Sequence, residues 1–511
     1  MKKLIKDKKI LFILITFLGV ASSFSLPPYN LFFINFFTLN IFFIFLVKGK
    51  ILKKKIDYFI FGWLFGFGYF ISSLYWITIS LTFDANLKSL IPIALILIPG
   101  FLAIFFAIPA LLFYFFLNFK NFSLVLIFSV LFATSEFLRG TILTGFPWNL
   151  FVFSFSNNLS FLQSLSIFGT YGLNLLCITF FLIPSIFILK KTNFDFLVSI
   201  ILSVILVLFF SFGKYRLTNS ENTNVLETKF KIKIISSKIE IDRFYNIKKE
   251  REIVKELINL SDSEDNLPTI FIWPEGIFTS SFLKDIKKYQ KLFKNSFGKN
   301  DLVILGINDI KHEDKIKIYN SFVVLDNELN TISIYHKNKL VPFGEFLPFE
   351  NILSQIGFKK ITNNYQSFSK SSERKIIKIK NLDVLPLICY EIIYSGNLSI
   401  NQNFDLIINI SEDGWFGQSI GLSQHFTHSI FRSIEEGKSI IRSTNNGISA
   451  LINPQGKILK LKESTESGVI DVSYIEKSYN RTFFSIYRNN IFFYLLVFYI
   501  SLIFFLKRIG R

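Results

Sequence analysis

Residues 383–391, DVLPLICYE, decide how this chain is read. A short apolar run between polar residues has the pattern of a buried strand. It predicts Cys389 at the strand's end, where a loop held by a rigid sheet presents the side chain. The 511-residue chain has one other cysteine, Cys177, inside the apolar run NLLCITFF, where a small buried hydrophobe is the expected role. Pairing the two would join a membrane segment to a soluble one, so Cys389 is expected as a free thiol.

Working outward, similar β-rich runs surround this one: KFKIKIISS, TIFIWPE, DLVILGIN, NSFVVLD, TISIYHK and FDLIINIS. Helical patterns lie among them at 245–260, 281–296 and 421–437. Strands alternating with helices over residues 223–482 predict a layered α/β domain, of the αββα kind. There is no internal repeat, no low-complexity linker and no Gly-rich phosphate loop.

The rest of the chain has a different character. The composition is 51% hydrophobic with 65 Phe, more apolar surface than a soluble protein of this length carries. Apolar runs near the ~20 residues needed to cross the hydrocarbon core lie at 10–27, 31–47, 58–83, 91–117, 122–138, 161–189 and 194–212, with an eighth at 489–506. The expectation is a polytopic α-helical membrane domain of about eight spans: residues 1–222 with seven, and 483–511 with the last and a cytoplasmic tail. The first run is read as an uncleaved anchor, since six more follow and no small-residue cleavage site is evident. The net charge of +19 sits largely between apolar runs, which argues against a nucleic-acid partner. MKKLIKDKK, KGKILKKK, Lys120, Lys190, Lys191 and the tail KRIGR fall on one side if the spans alternate, and that side is cytoplasmic by the positive-inside rule. Residues 223–482 then lie on the opposite, periplasmic side of a bacterial inner membrane; Lys214 and Arg216 dissent.

Two further strand ends carry chemistry: Glu275 in IWPEG and Lys337 in YHKNKLVPFGE. Singly, each has a plainer reading. A Glu after a strand caps or faces solvent, a Lys is a surface charge, and a lone Cys in an apolar strand is core. Together they supply what cysteine acyl transfer requires. A free thiol, with a pKa near ~8.5, is mostly protonated at neutral pH. A carboxylate would accept its proton and return it to the leaving group. An ammonium would stabilise the thiolate and the tetrahedral oxyanion. A helix beginning in EIIYSGNLS, after Cys389, would add its N-terminal dipole.

WPEG, K-x-x-LVPFGE and CYE in this order resemble the nitrilase-like carbon–nitrogen hydrolase superfamily, with its Glu-Lys-Cys triad. LVPFGEFLP, SEDGWFG followed by SQH, and RSTNNGIS narrow the resemblance to the bacterial apolipoprotein N-acyltransferases. TSEFLRG, TGFPWN and GTYGLN in the membrane half resemble them too. The resemblance covers nearly the whole chain and implies a nitrilase-like αββα sandwich, with Glu275 as base, Lys337 as oxyanion-stabilising cation and Cys389 as nucleophile. It implies supporting roles for Glu345, Tyr390, Glu391 and Trp415. It also selects Lys337 over its decoy Lys339, because the triad lysine precedes the PFGE glutamate by eight positions. The implied reaction moves an acyl chain from a membrane phospholipid, through a Cys thioester, to the N-terminal amine of a diacylglyceryl-modified apolipoprotein. A membrane-anchored amidase or nitrilase acting on a small amide is the alternative, and a transporter a more distant one.

The sequence departs from the family where a tryptophan often borders the site; DRFYN offers Phe244 and Tyr245 instead. Glu136 and Arg139 are ionisable residues at the non-cytoplasmic end of a span, which makes them candidates for shaping a lipid entrance as well as for an anchoring ion pair. No cofactor, metal or nucleotide is implied, since His312, His336, His425 and His428 make no ligand set. The expected state is a monomer.

Overall fold

Ile270 and Ile272 belong to one apolar core, while their neighbours Phe271 and Trp273 belong to another. A strand buried on both faces sits inside a layered structure. The computed structural model describes residues 8–48, 52–189, 192–219, 223–226, 229–244, 249–263, 267–312, 316–348, 350, 355, 367–398, 403–478 and 480–509. Its strands in chain order are β1 (Thr223–Leu226), β2 (Lys231–Ser236), β3 (Thr269–Ile272), β4 (Leu302–His312), β5 (Ile316–Asp326), β6 (Thr331–His336) and β7 (Ile377–Ile379). Then come β8 (Leu382–Ile388), β9 (Leu406–Glu412), β10 (Ser439–Asn445), β11 (Ser449–Ile452), β12 (Ile458–Lys462), β13 (Gly468–Val472) and β14 (Ile475–Ser478).

Two six-stranded sheets form, ordered β13-β2-β3-β4-β5-β6 and β12-β11-β10-β9-β8-β7, with β1 paired to β14 apart from both. β2, β3 and β4 run parallel, as do β8, β9 and β10. Between the sheets lie Ile234, Ile272, Ile304 and Phe322 from one and Val384, Ile388, Ile410 and Ile441 from the other. Each such side chain contributes ~1.5–3 kcal/mol relative to exposure. Outside the first sheet, Ile253, Val254 and Leu257 of the helix Glu250–Ser261 pack on Phe271 and Trp273. The helix Ile420–Glu436 lies against β10 and β11 of the second. The layers are helix, sheet, sheet, helix, as the sequence predicts.

All seven expected strands are present. The helix expected at 281–296 is a 3-10 segment, Leu283–Tyr289, continued by a short α-helix, Gln290–Ser296. Of the helix expected at 245–260, Glu250–Ser261 is described, and Tyr245 lies outside the described residues.

The chain divides into two units, one of Met1–Thr78, Ser89–Ser220 and Thr482–Arg511, the other of Ile79–Lys88 and Glu221–Arg481. Among the described residues six helices are long and apolar enough to cross a membrane: Lys55–Thr82, Ala85–Phe116, Asn121–Thr141, Leu165–Leu189, Asn193–Thr218 and Asn490–Arg508. The first two expected spans correspond to the shorter apolar helices Lys8–Ser23 and Phe32–Lys48 among the described residues. The sequence patterning thus locates eight apolar helices, six of them of spanning length. Lys190 and Lys191 of the charge argument lie outside the described residues. In the helical unit, Lys8–Ser23 and Lys55–Leu74 approach so closely that a Cβ on Gly19 would clash with the Phe65 carbonyl oxygen.

Candidate active site

Glu275, Lys337 and Cys389 follow the ends of β3, β6 and β8. The first two strands belong to one sheet and the third to the other; Lys337 pairs with Glu275, and the charges of both act on Cys389. Lys337 Nζ stands 2.9 Å from Glu345 Oε1 and 3.4 Å from Glu275 Oε1. The Asn320 amide, on β5, donates to both of those oxygens, at 2.7 Å to Glu275 and 2.8 Å to Glu345. The backbone N–H of Glu412 donates to the second Glu275 oxygen at 3.1 Å. Glu345 is fixed in turn by the Val341 N–H at 2.9 Å. Two buried carboxylates thus share one ammonium and one amide.

Burial draws the Lys337 amine down, but Glu275, Glu345 and Cys389 together push it above the ordinary lysine value, so it stays charged. Burial raises the Glu275 carboxyl, Lys337 opposes it, and Glu345 raises it further; the result is a carboxylate with more affinity for a proton than usual. Burial likewise pushes the Cys389 thiol up, Glu275 adds to that, and Lys337 only partly offsets it. Cys389 is therefore held as a thiol.

Cys389 has φ +48°, a left-handed conformation that costs a non-glycine residue ~1–3 kcal/mol and recurs at functional sites. The expected helix after it is only a five-residue 3-10 turn, Cys389–Ile393, so a helix dipole is not among the terms acting on the sulfur. The Glu391 side chain folds back to accept the Ile388 N–H at 2.9 Å and caps the turn's start, while the turn ends at Tyr394, whose backbone is extended.

Glu391 is a strut. Its Oε1 also accepts from the Tyr335 hydroxyl (2.7 Å), the Asn338 and Lys339 N–H groups (3.0 and 3.2 Å) and Arg374 (3.3 Å), tying the loop after Lys337 to the end of β8. Glu391→Ala leaves these buried donors without an acceptor, a loss of ~3–5 kcal/mol. Thermal unfolding is expected to show a midpoint lowered by roughly 10 °C.

Lys339 is half-buried 5.2 Å above the Tyr394 ring, whereas Lys337 pairs with the two carboxylates. Tyr390 is buried and meets Tyr394 edge-on at 5.5 Å. Trp415 packs on Phe244 at 5.1 Å and on Phe83 at 5.8 Å. Glu136 and Arg139 lie in the helical unit, in Asn121–Thr141. Arg139 stands 3.7 Å from Glu136 and donates to the carbonyls of Phe146 and Trp148, both at 2.7 Å, while Asn174 donates to Glu136 at 2.5 Å. Among the described residues no cluster of three or more His, Cys, Asp or Glu side chains could hold a metal ion.

Two features escape the sequence reading. Asn320 gives no signal beyond a polar residue inside a strand. Asp413 anchors a buried network, accepting from Ser411 at 2.6 Å, His425 at 3.0 Å and Arg442 at 2.7 Å. Burial would raise its carboxyl, but Arg442 and His425 hold it well below the usual range. SEDGWFG, SQH and RSTNNGIS contain these residues, yet nothing in their spacing shows that they meet.

Two stacked six-stranded sheets flanked by helices form the carbon–nitrogen hydrolase fold, and residues 272–476 match the carbon–nitrogen hydrolase family. Residues 18–183 match the apolipoprotein N-acyltransferase N-terminal domain. An apolipoprotein N-acyltransferase of Rhodopseudomonas palustris is 31% identical over 477 residues, 89% of this chain and 87% of its own. Those of Rickettsia prowazekii and Rickettsia typhi are each 34% identical, over 87% and 84% of this chain and 90% and 86% of theirs. The chain belongs to the apolipoprotein N-acyltransferase family of membrane enzymes.

Proposed function

We propose that this enzyme transfers a fatty acyl chain in two steps, with Cys389 as the nucleophile. Cys389 Sγ attacks the ester carbonyl of a membrane phospholipid while its proton passes to Glu275. The tetrahedral oxyanion is met by Lys337. Its collapse breaks the ester C–O bond, Glu275 returns the proton to the departing alkoxide, and a lysophospholipid leaves a thioester on Cys389. The free α-amine of a diacylglyceryl-cysteine at an apolipoprotein's N-terminus then attacks the thioester. Glu275 takes the amine's proton and gives it to the sulfur, restoring the thiol beside an amide.

The observation that carries this reading is the shared ammonium between Glu275 and Glu345, next to a thiol held protonated at rest. Such a site needs its base and its cation at once. In the same reading residues 1–222 and 483–511 form the membrane part and 223–482 the catalytic part. That part faces the periplasm of a bacterial inner membrane, in keeping with the Lys/Arg bias. Keeping both lipid substrates in the bilayer avoids exposing acyl chains to water at ~0.8 kcal/mol per CH₂.

The test supplies a phospholipid labelled in its acyl chain together with a diacylglyceryl-cysteine peptide. Label in the peptide amide supports transfer. Label appearing only as free fatty acid would instead favour the amidase-like alternative, in which water resolves the acyl-enzyme.

A pH dependence follows. Glu275 must be ionised to accept the thiol proton, and burial and Glu345 place its pKa above the ordinary 4.5 despite Lys337. The rate of acyl-enzyme formation is expected to rise with pH along an acid limb whose midpoint lies above that value, and to be lost below it. A pre-steady-state pH profile checks this.

A further inference from the structure

Arg243 has no role in the chemistry described so far, yet its guanidinium is almost wholly buried and touches three parts of the site's surroundings. Its Nε donates at 2.9 Å to the carbonyl of Gly276, the residue directly after Glu275. One terminal nitrogen donates to the carbonyls of Ile239 at 3.2 Å and Glu240 at 2.8 Å. The other pairs with the Glu412 carboxylate, which also accepts from the Asn445 amide and the Gly414 N–H, both at 2.8 Å. Glu412 is the residue whose backbone N–H holds the second oxygen of Glu275. The guanidinium also lies 4.6 Å over the Phe244 ring, which packs on Trp415. Gly276, at φ +71°, has no room for a side chain there, since a Cβ would meet Phe244 at 2.9 Å.

The contacts are more specific than charge neutralisation needs. A planar fork satisfies three separate carbonyls and a carboxylate while stacking on a ring, which an ammonium on a flexible stem does not reproduce. The strand end bearing Glu412, the turn after Glu275 and the loop bearing Phe244 all meet at this side chain.

We propose that Arg243 is a positioning residue: it locks the turn after Glu275, the Glu412 amide and the Phe244–Trp415 pair into one arrangement, so that the acid–base carboxylate and the aromatic wall beside it keep their register during acyl transfer. This rests on the reading of Glu275 as the base. A competing role is simpler, with Arg243 serving only as the counter-ion of a buried Glu412.

Three variants of the full chain separate these roles: Arg243→Lys, the charge-free pair Arg243→Met with Glu412→Gln, and Glu275→Gln. Each is measured for thermal midpoint and for the rate of acyl-enzyme formation across pH, per mole of folded protein, with a defined phosphatidylethanolamine in mixed micelles. Arg243→Lys keeps a positive charge for Glu412, and the pair removes the need for one. Neither restores the fork to Gly276 and the loop carbonyls. Both are expected to form acyl-enzyme at least tenfold more slowly, since ångström-scale misplacement of catalytic groups has effects of that order.

Their acid limb is expected to move to higher pH. Glu275 faces Lys337, Glu345, Cys389, the Asn320 amide and the Glu412 N–H, and loosening the last removes a donor that favours its ionised form. A merely structural loss would lower the thermal midpoint and leave that limb in place. A wild-type rate and pH profile in either Arg243→Lys or the charge-free pair would overturn the proposal and leave Arg243 as a counter-ion. A wild-type rate in Glu275→Gln, with the Arg243 variants slow, would instead remove the reading of Glu275 as base.

Discussion

Replacing Cys389 with alanine is expected to abolish acyl-enzyme and product alike, with turnover falling by on the order of 10⁴-fold or more. The size follows from the site. In the proposed mechanism the acyl chain is carried on the sulfur, and Glu275 and Lys337 act only through it. Cys389→Ser is expected to be nearly as severe. The surroundings already raise the proton affinity of the thiol, and a hydroxyl starts from a far higher pKa, so Glu275 would have much further to pull its proton. Both variants change few atoms at a partly exposed position, so the thermal midpoint should stay close to wild type. Activity assays alongside thermal unfolding check the pair of outcomes. Wild-type-like turnover in either variant would contradict a covalent mechanism through this residue.

Lys337→Met carries the second large effect, and it has two separable parts. One is stability: removing the ammonium leaves Glu275 and Glu345 buried side by side with no cation, and breaking a buried pair of this kind costs ~3–5 kcal/mol. The other is catalysis: loss of an oxyanion-stabilising group costs ~10²–10³ in turnover, about 2.7–4 kcal/mol of transition-state stabilisation. Adding Glu345→Gln to Lys337→Met removes one of the two stranded charges. The double variant should recover much of the thermal midpoint, while acyl-enzyme formation stays slow because nothing replaces the cation. Recovery of both together would show that Lys337 serves stability alone.

These expectations could be framed from sequence because the strand ends were legible there. WPEG, HKNK and CYE each follow a run of branched apolar residues, and β3, β6 and β8 end within a few residues of where those runs stop. The layered order was legible for the same reason, since residues such as Ile270 and Phe271 alternate between two apolar surroundings. The helix expected beyond Cys389 was not, because the chain turns extended at Tyr394 after only the five residues Cys389–Ile393. Span 31–47 coincides with the apolar helix Phe32–Lys48, while the hydropathy of 10–27 runs a few residues past the end of Lys8–Ser23. The contacts of Asn320, Asp413 and Arg243 were hidden for a deeper reason. Glu275 lies 45 residues from Asn320, His425 12 from Asp413 and Gly276 33 from Arg243, and only the folded sheets bring them together.

The central claim is that Cys389 carries the acyl chain between donor and acceptor. It is tested most directly by mixing the full-length enzyme with a phospholipid of defined acyl composition, omitting the acceptor, and mapping the modified peptide by mass spectrometry. The predicted result is one fatty-acyl thioester on Cys389, formed with an equivalent of lysophospholipid and discharged when a diacylglyceryl-cysteine peptide is added. An acyl group found on another residue, or acylated peptide formed without any adduct on Cys389, would contradict it.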